Sequence, residues 1–167
     1  MLLQTQLTII DELSVTNQQE NDAFVAKAKT WNSAELDALM FTLEAEITPQ
    51  IDCLACGNCC KSLLINVEPD ETLEPAKQLG ISTAVFEEQF VEKGSSGQML
   101  LNTIPCHFLQ AETNACKIYE TRFSGCRQFP ALDVPNLQQR FFTVFMHYGR
   151  CPIIFNVMEA MKKVVLT

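Results

Sequence analysis

Cys53-Leu54-Ala55-Cys56-Gly57-Asn58-Cys59-Cys60 places four thiols within eight residues. Four more follow singly, at Cys106, Cys116, Cys126 and Cys151. Thiols at this density either pair as disulfides or share a metal, and the rest of the chain decides between the two. A chain of 167 residues is long enough to build a hydrophobic core without covalent staples. Hydrophobic residues make up 47% and charged residues 19%, the balance of a globular protein rather than a disordered one. No apolar run reaches the ~18 residues of a membrane span, and Met1-Leu2-Leu3-Gln4 lacks the basic start and small-residue cleavage site of a secretory signal. The expectation is therefore a cytoplasmic protein with no membrane association, in which thiols stay reduced. A bond between the neighbours Cys59 and Cys60 would also strain the backbone. Metal ligation is the reading that remains.

The local pattern supports it. Cys53-x-x-Cys56 followed by Gly57 has the shape of a metal knuckle. Two cysteines three apart grip one ion from a tight turn, and the glycine lets the backbone turn with positive φ and aim N–H groups at sulfur. One such pair is weak evidence; two overlapping pairs with a fourth cysteine attached are strong evidence. Soft thiolates suit zinc and iron–sulfur clusters. Cys53, Cys56 and Cys59 share the CxxCxxC spacing of bacterial ferredoxins, and Cys151-Pro152 supplies their Cys-Pro pair, although the separations and the extra Cys60 depart from a ferredoxin. How the eight sulfurs divide among one or two centres stays open at this point.

The flanks read as helices. Gln18 to Trp31 places Phe24, Ala28 and Trp31 on one face, and a second helix starts near Asn32 with Glu35 three residues on. Leu36, Leu39, Met40, Leu43 and Ile47 recur at helical spacing up to Pro49. Leu63 to Val67 suits a short strand or a helix extension. Pro69 suits a helix start and Gly80 its end. Ser82 suits the cap of a helix that turns Val85, Phe86 and Phe90 inward, and Gly94 to Gly97 suits a surface loop. Met99 to Asn102 and the aromatic-rich Phe141 to Tyr148 read as strands. Ile154, Val157, Met158, Met161 and Val165 share one face of a C-terminal helix. The expected fold is a predominantly helical α+β single domain wrapped around a cysteine-rich metal centre. It comprises an N-terminal helical segment (1–52), a cysteine-cluster core (53–152) and a C-terminal helix (153–167).

Other chemistries lack their signatures. There is no Gly-x-Gly for a dinucleotide or phosphate loop and no Gly-x-Ser-x-Gly elbow. The adjacent Cys106 and His107 do not make a nucleophile–base pair, because such partners meet in space from separate segments. The two histidines, His107 and His147, read as a loop residue and a packing residue. Net charge is -8, which argues against general nucleic-acid binding. The charge is uneven: residues 1–116 carry 17 acidic and 5 basic side chains, whereas residues 117–167 carry 3 and 7. Arg122, Arg127 and Arg150 lie beside cysteines in sequence, where cations offset the negative charge of a thiolate–metal site. Docking of an unidentified protein partner is the alternative use of that basic third.

Cys53-x-x-Cys56-x-x-Cys59-Cys60, Pro105-Cys106-x-Phe108-Leu109 and Cys116-x-Ile118-Tyr119-x-x-Arg122-x-x-x-Cys126-Arg127-x-Phe129-Pro130 occur in that order. Together they closely resemble the CxxCxxCC zinc- or iron-chelating family, the YkgJ-type cysteine-cluster proteins, over about residues 53 to 152. The family includes the flagellin lysine N-methylases, which are longer. It usually has Arg-Pro where this chain has Arg122-Phe123, a change that alters a turn and leaves all eight sulfurs in place. The resemblance implies metal binding by Cys53, Cys56, Cys59, Cys60, Cys106, Cys116, Cys126 and Cys151, with zinc or an iron–sulfur cluster as cofactor. It implies no single reaction, so catalytic residues are not assigned and whether the protein is an enzyme is open. Two readings follow: a metal-binding protein with no reaction of its own, and an iron–sulfur-dependent redox or protein-modification (methyl-transfer) enzyme or accessory subunit. No S-adenosylmethionine site is recognisable.

Overall fold

A computed structural model describes residues 2–167, so Met1 of the N-terminal stretch lies outside the described residues. In chain order the elements are α1 (Leu7–Thr16), α2 (Gln18–Ala28), α3 (Ser33–Ile47), α4 (Cys53–Cys56), α5 (Asn58–Ser62), α6 (Leu73–Leu79), α7 (Thr83–Phe90), β1 (Val91–Lys93), β2 (Met99–Leu101), α8 (Ser124–Gln128), α9 (Leu137–Tyr148) and α10 (Pro152–Val165). The fold is α+β and predominantly helical, with one two-stranded sheet among the described residues. The chain divides into two compact units, Met1–Asp52 with Pro130–Thr167, and Cys53–Phe129.

The first unit is built on α10, which packs against α1, α2, α3 and α9. Its apolar residues dominate, and nearly every residue from Pro152 to Met161 is buried, with the polar Asn156, Glu159 and Lys163 recurring at helical spacing. A helix buried over most of its surface belongs inside a bundle. Pro152 opens it at the first helical position, where no N–H is needed. Asn32 caps α3, its side-chain oxygen accepting from the N–H groups of Ala34 and Glu35 (2.9 and 3.2 Å). Leu36, Met40 and Ile47 of that helix are buried, as their spacing predicts.

Phe141 to Tyr148 is helical rather than a strand. Aromatic content favours strands only as a preference for a half-buried pleated surface. The burial pattern is the stronger signal: Leu137, Phe141, Val144 and Tyr148 are the buried residues of α9, spaced four, three and four apart. The start of α9 is held by buried Asp37 of α3, whose carboxylate accepts from the N–H groups of Asn136 (2.7 Å) and Leu137 (2.9 Å).

The second unit carries seven of the eight cysteines. Its core is Val67, Ala76, Phe86, Val91, Met99, Leu101, Phe108, Ile118 and Phe123. The Phe86 and Phe108 rings stack with centroids 5.7 Å apart. β1 and β2 pair antiparallel, Val91 opposite Leu101 and Lys93 opposite Met99. Gly94–Gly97 is their connection, and Gly97 takes the positive φ of 85° that the turn requires. Leu63 to Val67 is extended in part: Asn66 bridges Leu100, and Val67 N–H donates to Met99 O (2.9 Å) on the other edge of β2. Pro69 opens a short 3-10 turn that leads into α6, which Gly80 ends in the left-handed conformation. Ser82 Oγ accepts from Val85 N–H and caps α7.

Candidate metal centre

Cys53 and Cys56 begin and end the four-residue helix α4, and Cys59 and Cys60 lie on α5. Gly57 joins the two with φ 57°, the left-handed turn expected after the second cysteine. That glycine also permits a close approach, since a β-carbon on it would fall 2.9 Å from Asn114 Cβ. Asn114 Nδ2 donates to Ala55 O (2.8 Å), so the 110–116 turn is fastened to the backbone between Cys53 and Cys56.

The single cysteines arrive by other routes. Cys106 N–H donates to Cys60 O (2.8 Å), a direct backbone tie between the cluster and the 105–109 segment. Cys116 is in a bridge with Leu109, and Lys117 N–H donates to Phe108 O (2.8 Å), which sets Cys106 and Cys116 on neighbouring chains. Cys126 rides on α8, whose preceding residue Phe123 is buried in the unit's core. Cys106, Cys116 and Cys126 all pack against that core.

Glu71 orients α8. Its carboxylate accepts from Ser124 N–H and faces an Arg127 nitrogen at 3.5 Å. It also accepts from Glu68 N–H (3.2 Å), closing a capping box at the 3-10 turn that Pro69 opens. Sequence reasoning missed Glu71, although Glu68-x-x-Glu71 before a helix has the spacing that signals this role. Asn114 is a second such residue, since nothing in the sequence marks its reach to Ala55.

The electrostatics join five thiols into one group. Cys59 and Cys60 sulfurs stand 3.9 Å apart. The Cys59 thiol is lowered to about 6, chiefly by the hydrogen bond from Cys60, with Arg122 contributing; burial opposes the shift. The same hydrogen bond pushes Cys60 far up, helped by burial and by the charges of Cys59, Cys106 and Cys116. Burial also raises Cys106, with the charges of Cys116 and Cys59 added, and Cys116, with that of Cys59 added and Arg122 opposing. Cys126 is raised to about 12 by burial and then by Cys106, Cys59 and Cys116. These thiols sit close enough that ionising one opposes ionising the next.

The remaining candidates are placed as follows. Cys151 belongs to the first unit, buried at the N-cap of α10, with its N–H donating to His147 O (2.9 Å). His107 is exposed, 2.6 Å from Asn102 Oδ1 through Nε2 and edge-on to Phe90. His147 lies in the last turn of α9, its pKa lowered by burial and then by Arg150. Arg122 lies over the Tyr119 ring, Cζ 4.0 Å from the centroid.

Among the described residues, no three His, Cys, Asp or Glu side chains are grouped closely enough to hold a metal ion as they stand. The donor set nevertheless suits a soft cation. Two sulfurs bound to one tetrahedral ion at about 2.3 Å lie about 3.8 Å from each other, close to the 3.9 Å between Cys59 and Cys60.

A family model described as "CxxCxxCC: Putative zinc- or iron-chelating domain" matches residues 52–151. No curated protein and no solved structure matches the chain.

Proposed function

This chain belongs to the CxxCxxCC family of zinc- or iron-chelating domains, and from that premise we propose that it holds a metal through Cys59, Cys60, Cys106, Cys116 and Cys126. The observation that carries the proposal is geometric: the Cys59 and Cys60 sulfurs stand 3.9 Å apart, Cys106 is tied to Cys60 through the backbone, and Cys106, Cys116 and Cys126 pack against one core. Cys53 and Cys56, one turn upstream on α4, are the next donors of the same centre. The eight-cysteine ligand set that the sequence suggests also names Cys151, which belongs to the first unit. A reducing, cytoplasmic setting is part of the proposal, because ligand thiols must stay reduced to bind.

The short Cys59–Cys60 separation favours two sulfurs on one ion, the geometry of a mononuclear zinc or iron site and also of each iron in a two-iron cluster. In a four-iron cluster each cysteine serves its own iron. When bound, the ion supplies positive charge and cross-links the segments that carry the thiols. Such a site contributes on the order of 10 kcal/mol to folding. The role is then to hold metal and, through it, to hold this surface in shape for a partner. The competing reading, an iron–sulfur protein acting in redox or protein-modification chemistry, rests on the CxxCxxC spacing of Cys53, Cys56 and Cys59.

Elemental analysis of anaerobically purified protein separates these. Colourless protein with about one zinc per chain, or coloured protein with iron and no sulfide, supports the mononuclear site. Brown protein with iron and acid-labile sulfide supports the competing reading. Protein that takes up neither metal overturns chelation. Serine at Cys59 or Cys116 is expected to abolish stoichiometric binding, and unchanged binding removes that residue from the ligand set.

A further inference from the structure

Arg122 is the residue of this unit whose polar chemistry is left incomplete. Its Nε is buried and has no hydrogen-bond acceptor. A buried guanidinium N–H without an acceptor costs free energy unless a partner arrives. The side chain is held in place: it lies over the Tyr119 ring at 4.0 Å, and its carbonyl accepts from Arg127, which Glu71 engages in turn. It lies between Cys116 and Cys126 in the chain, next to buried Phe123. Cys116 and Cys126 pack against the same core that buries Phe123 beside it. A held cation with a spare donor thus sits between two candidate ligands in the chain.

We propose that Arg122 is a positioning residue for the metal centre, donating its Nε–H to a metal-bound thiolate sulfur and offsetting part of the negative charge that several thiolates bring to one ion. This rests on the chelation reading above and deepens it. Thiolate sulfur accepts hydrogen bonds, and a donor aimed at a ligand both fixes its direction and favours its deprotonated, metal-binding form. Arg suits the place better than Lys, since its charge cannot be lost and its planar group stacks on Tyr119.

Zinc binding to the full-length reduced protein tests this. Zn2+ affinity is measured by competition with a chromophoric chelator, together with the pH at which half of the zinc is released. Arg122→Met removes charge and donor, Arg122→Gln keeps a donor without charge, and Arg122→Lys keeps charge without the planar N–H. Loss of such a partner typically weakens metal binding about 10–100-fold, and that is the expectation for Arg122→Met. Protons then compete better with zinc, so release moves to higher pH. A hundredfold loss shared over about four released protons raises the midpoint by about half a pH unit. Arg122→Lys and Arg122→Gln are expected to fall between wild type and Arg122→Met. If Arg122→Met fails to fold, these two variants carry the test. Wild-type uptake with an unchanged Arg122→Met curve overturns this inference alone. Lys or Gln variants as weak as Arg122→Met, with no shift in release pH, assign Arg122 a packing role and overturn it as well. Absence of zinc uptake by the wild-type protein overturns the chelation reading and this inference with it.

Discussion

Replacing Gly57 with alanine tests whether the turn between Cys56 and Cys59 must be glycine for two separate reasons. The residue has φ 57°, which costs a β-carbon-bearing residue about 1–2 kcal/mol. The added β-carbon also falls 2.9 Å from Asn114 Cβ and 3.0 Å from Asn114 Cγ. Asn114 is poorly placed to retreat, because its own φ is 56° and its side chain is hydrogen-bonded to Ala55 O. Overpacking of this kind costs about 1–3 kcal/mol, so Gly57→Ala is expected to destabilise the protein by about 2–5 kcal/mol. Gly80→Ala is the control. It has φ 71° but nothing within 4 Å of its β-carbon, so only the conformational cost of about 1–2 kcal/mol applies. Combining Gly57→Ala with Asn114→Gly removes the clash, and the double-mutant cycle should return a favourable coupling of about 1–3 kcal/mol. Urea unfolding of reduced, metal-free protein measures all four variants, and zinc affinity shows how far the displaced turn disturbs Cys56 and Cys59. Equal losses for Gly57→Ala and Gly80→Ala, or additivity in the cycle, would refute the close-approach argument.

Metal-free protein should be most stable between the folded pKa of Cys59 and the unfolded pKa of the other thiols. Cys59, lowered to about 6, contributes stability above the ordinary thiol pKa that is lost as pH falls toward 6. Cys126, raised to about 12, acts in the opposite direction: above about pH 8.5 the unfolded chain ionises while the folded chain stays neutral, so stability falls as pH rises. Thermal melts from pH 5 to 10 with chelator and reductant check both arms, and a midpoint still climbing from pH 9 to 10 would contradict the second. Asp37→Ala strips the acceptor from two N–H groups at the start of α9 and is expected to cost about 2–3 kcal/mol, with Asp37→Asn milder; a melting point within a degree of wild type would remove Asp37 from that role. Glu71→Ala leaves Ser124 N–H without its acceptor and frees Arg127, an expected loss of about 1–3 kcal/mol. Because α8 carries Cys126, the same variant should also weaken zinc binding, and unchanged zinc affinity would show that α8 is oriented by its core contacts instead.

Where a structural cause is local, the sequence announced it. Asn32, Ser82 and Gly80 cap the helices they were expected to cap, and the apolar stripe of α10 lies in the first unit's core. The error at Phe141 to Tyr148 came from weighing residue type over period, since Leu137, Phe141, Val144 and Tyr148 already carry helical spacing. The candidate site divides in the same way. The turn at Gly57 and the tight Cys59–Cys60 pair follow from eight consecutive residues. The approach of Cys106 to Cys60 and the seating of Cys116 and Cys126 on the unit's core do not, because they depend on the 105–109 segment, the Leu109–Cys116 bridge and the docking of Phe123 in a core assembled from distant residues. No spacing rule encodes pairings that tertiary packing creates.

The basic C-terminal third shows how a compositional signal sharpens once partners are known. Its excess of cations suggested charge compensation for a thiolate site. Arg127 faces Glu71, Arg140 donates to the carbonyls of Ala131 and Pro135, and Lys162 is buried against Glu20, Glu159 and Tyr148. Those charges have local structural partners. Arg122 is different: its charge acts on Cys59, Cys116 and Cys126 while its Nε lacks an acceptor. Cys106, Cys116 and Cys126 are raised chiefly by burial and Cys60 by its hydrogen bond with Cys59, with neighbouring thiolate charge added in each case. A divalent ion bound by these sulfurs would reverse those shifts together, whereas adding a single lysine nearby would lower mainly its nearest thiol. Thiol titration of metal-free and zinc-loaded protein therefore distinguishes a centre built for a metal from a patch of buried cysteines, since only the former predicts concerted protection of several thiols by one equivalent of zinc.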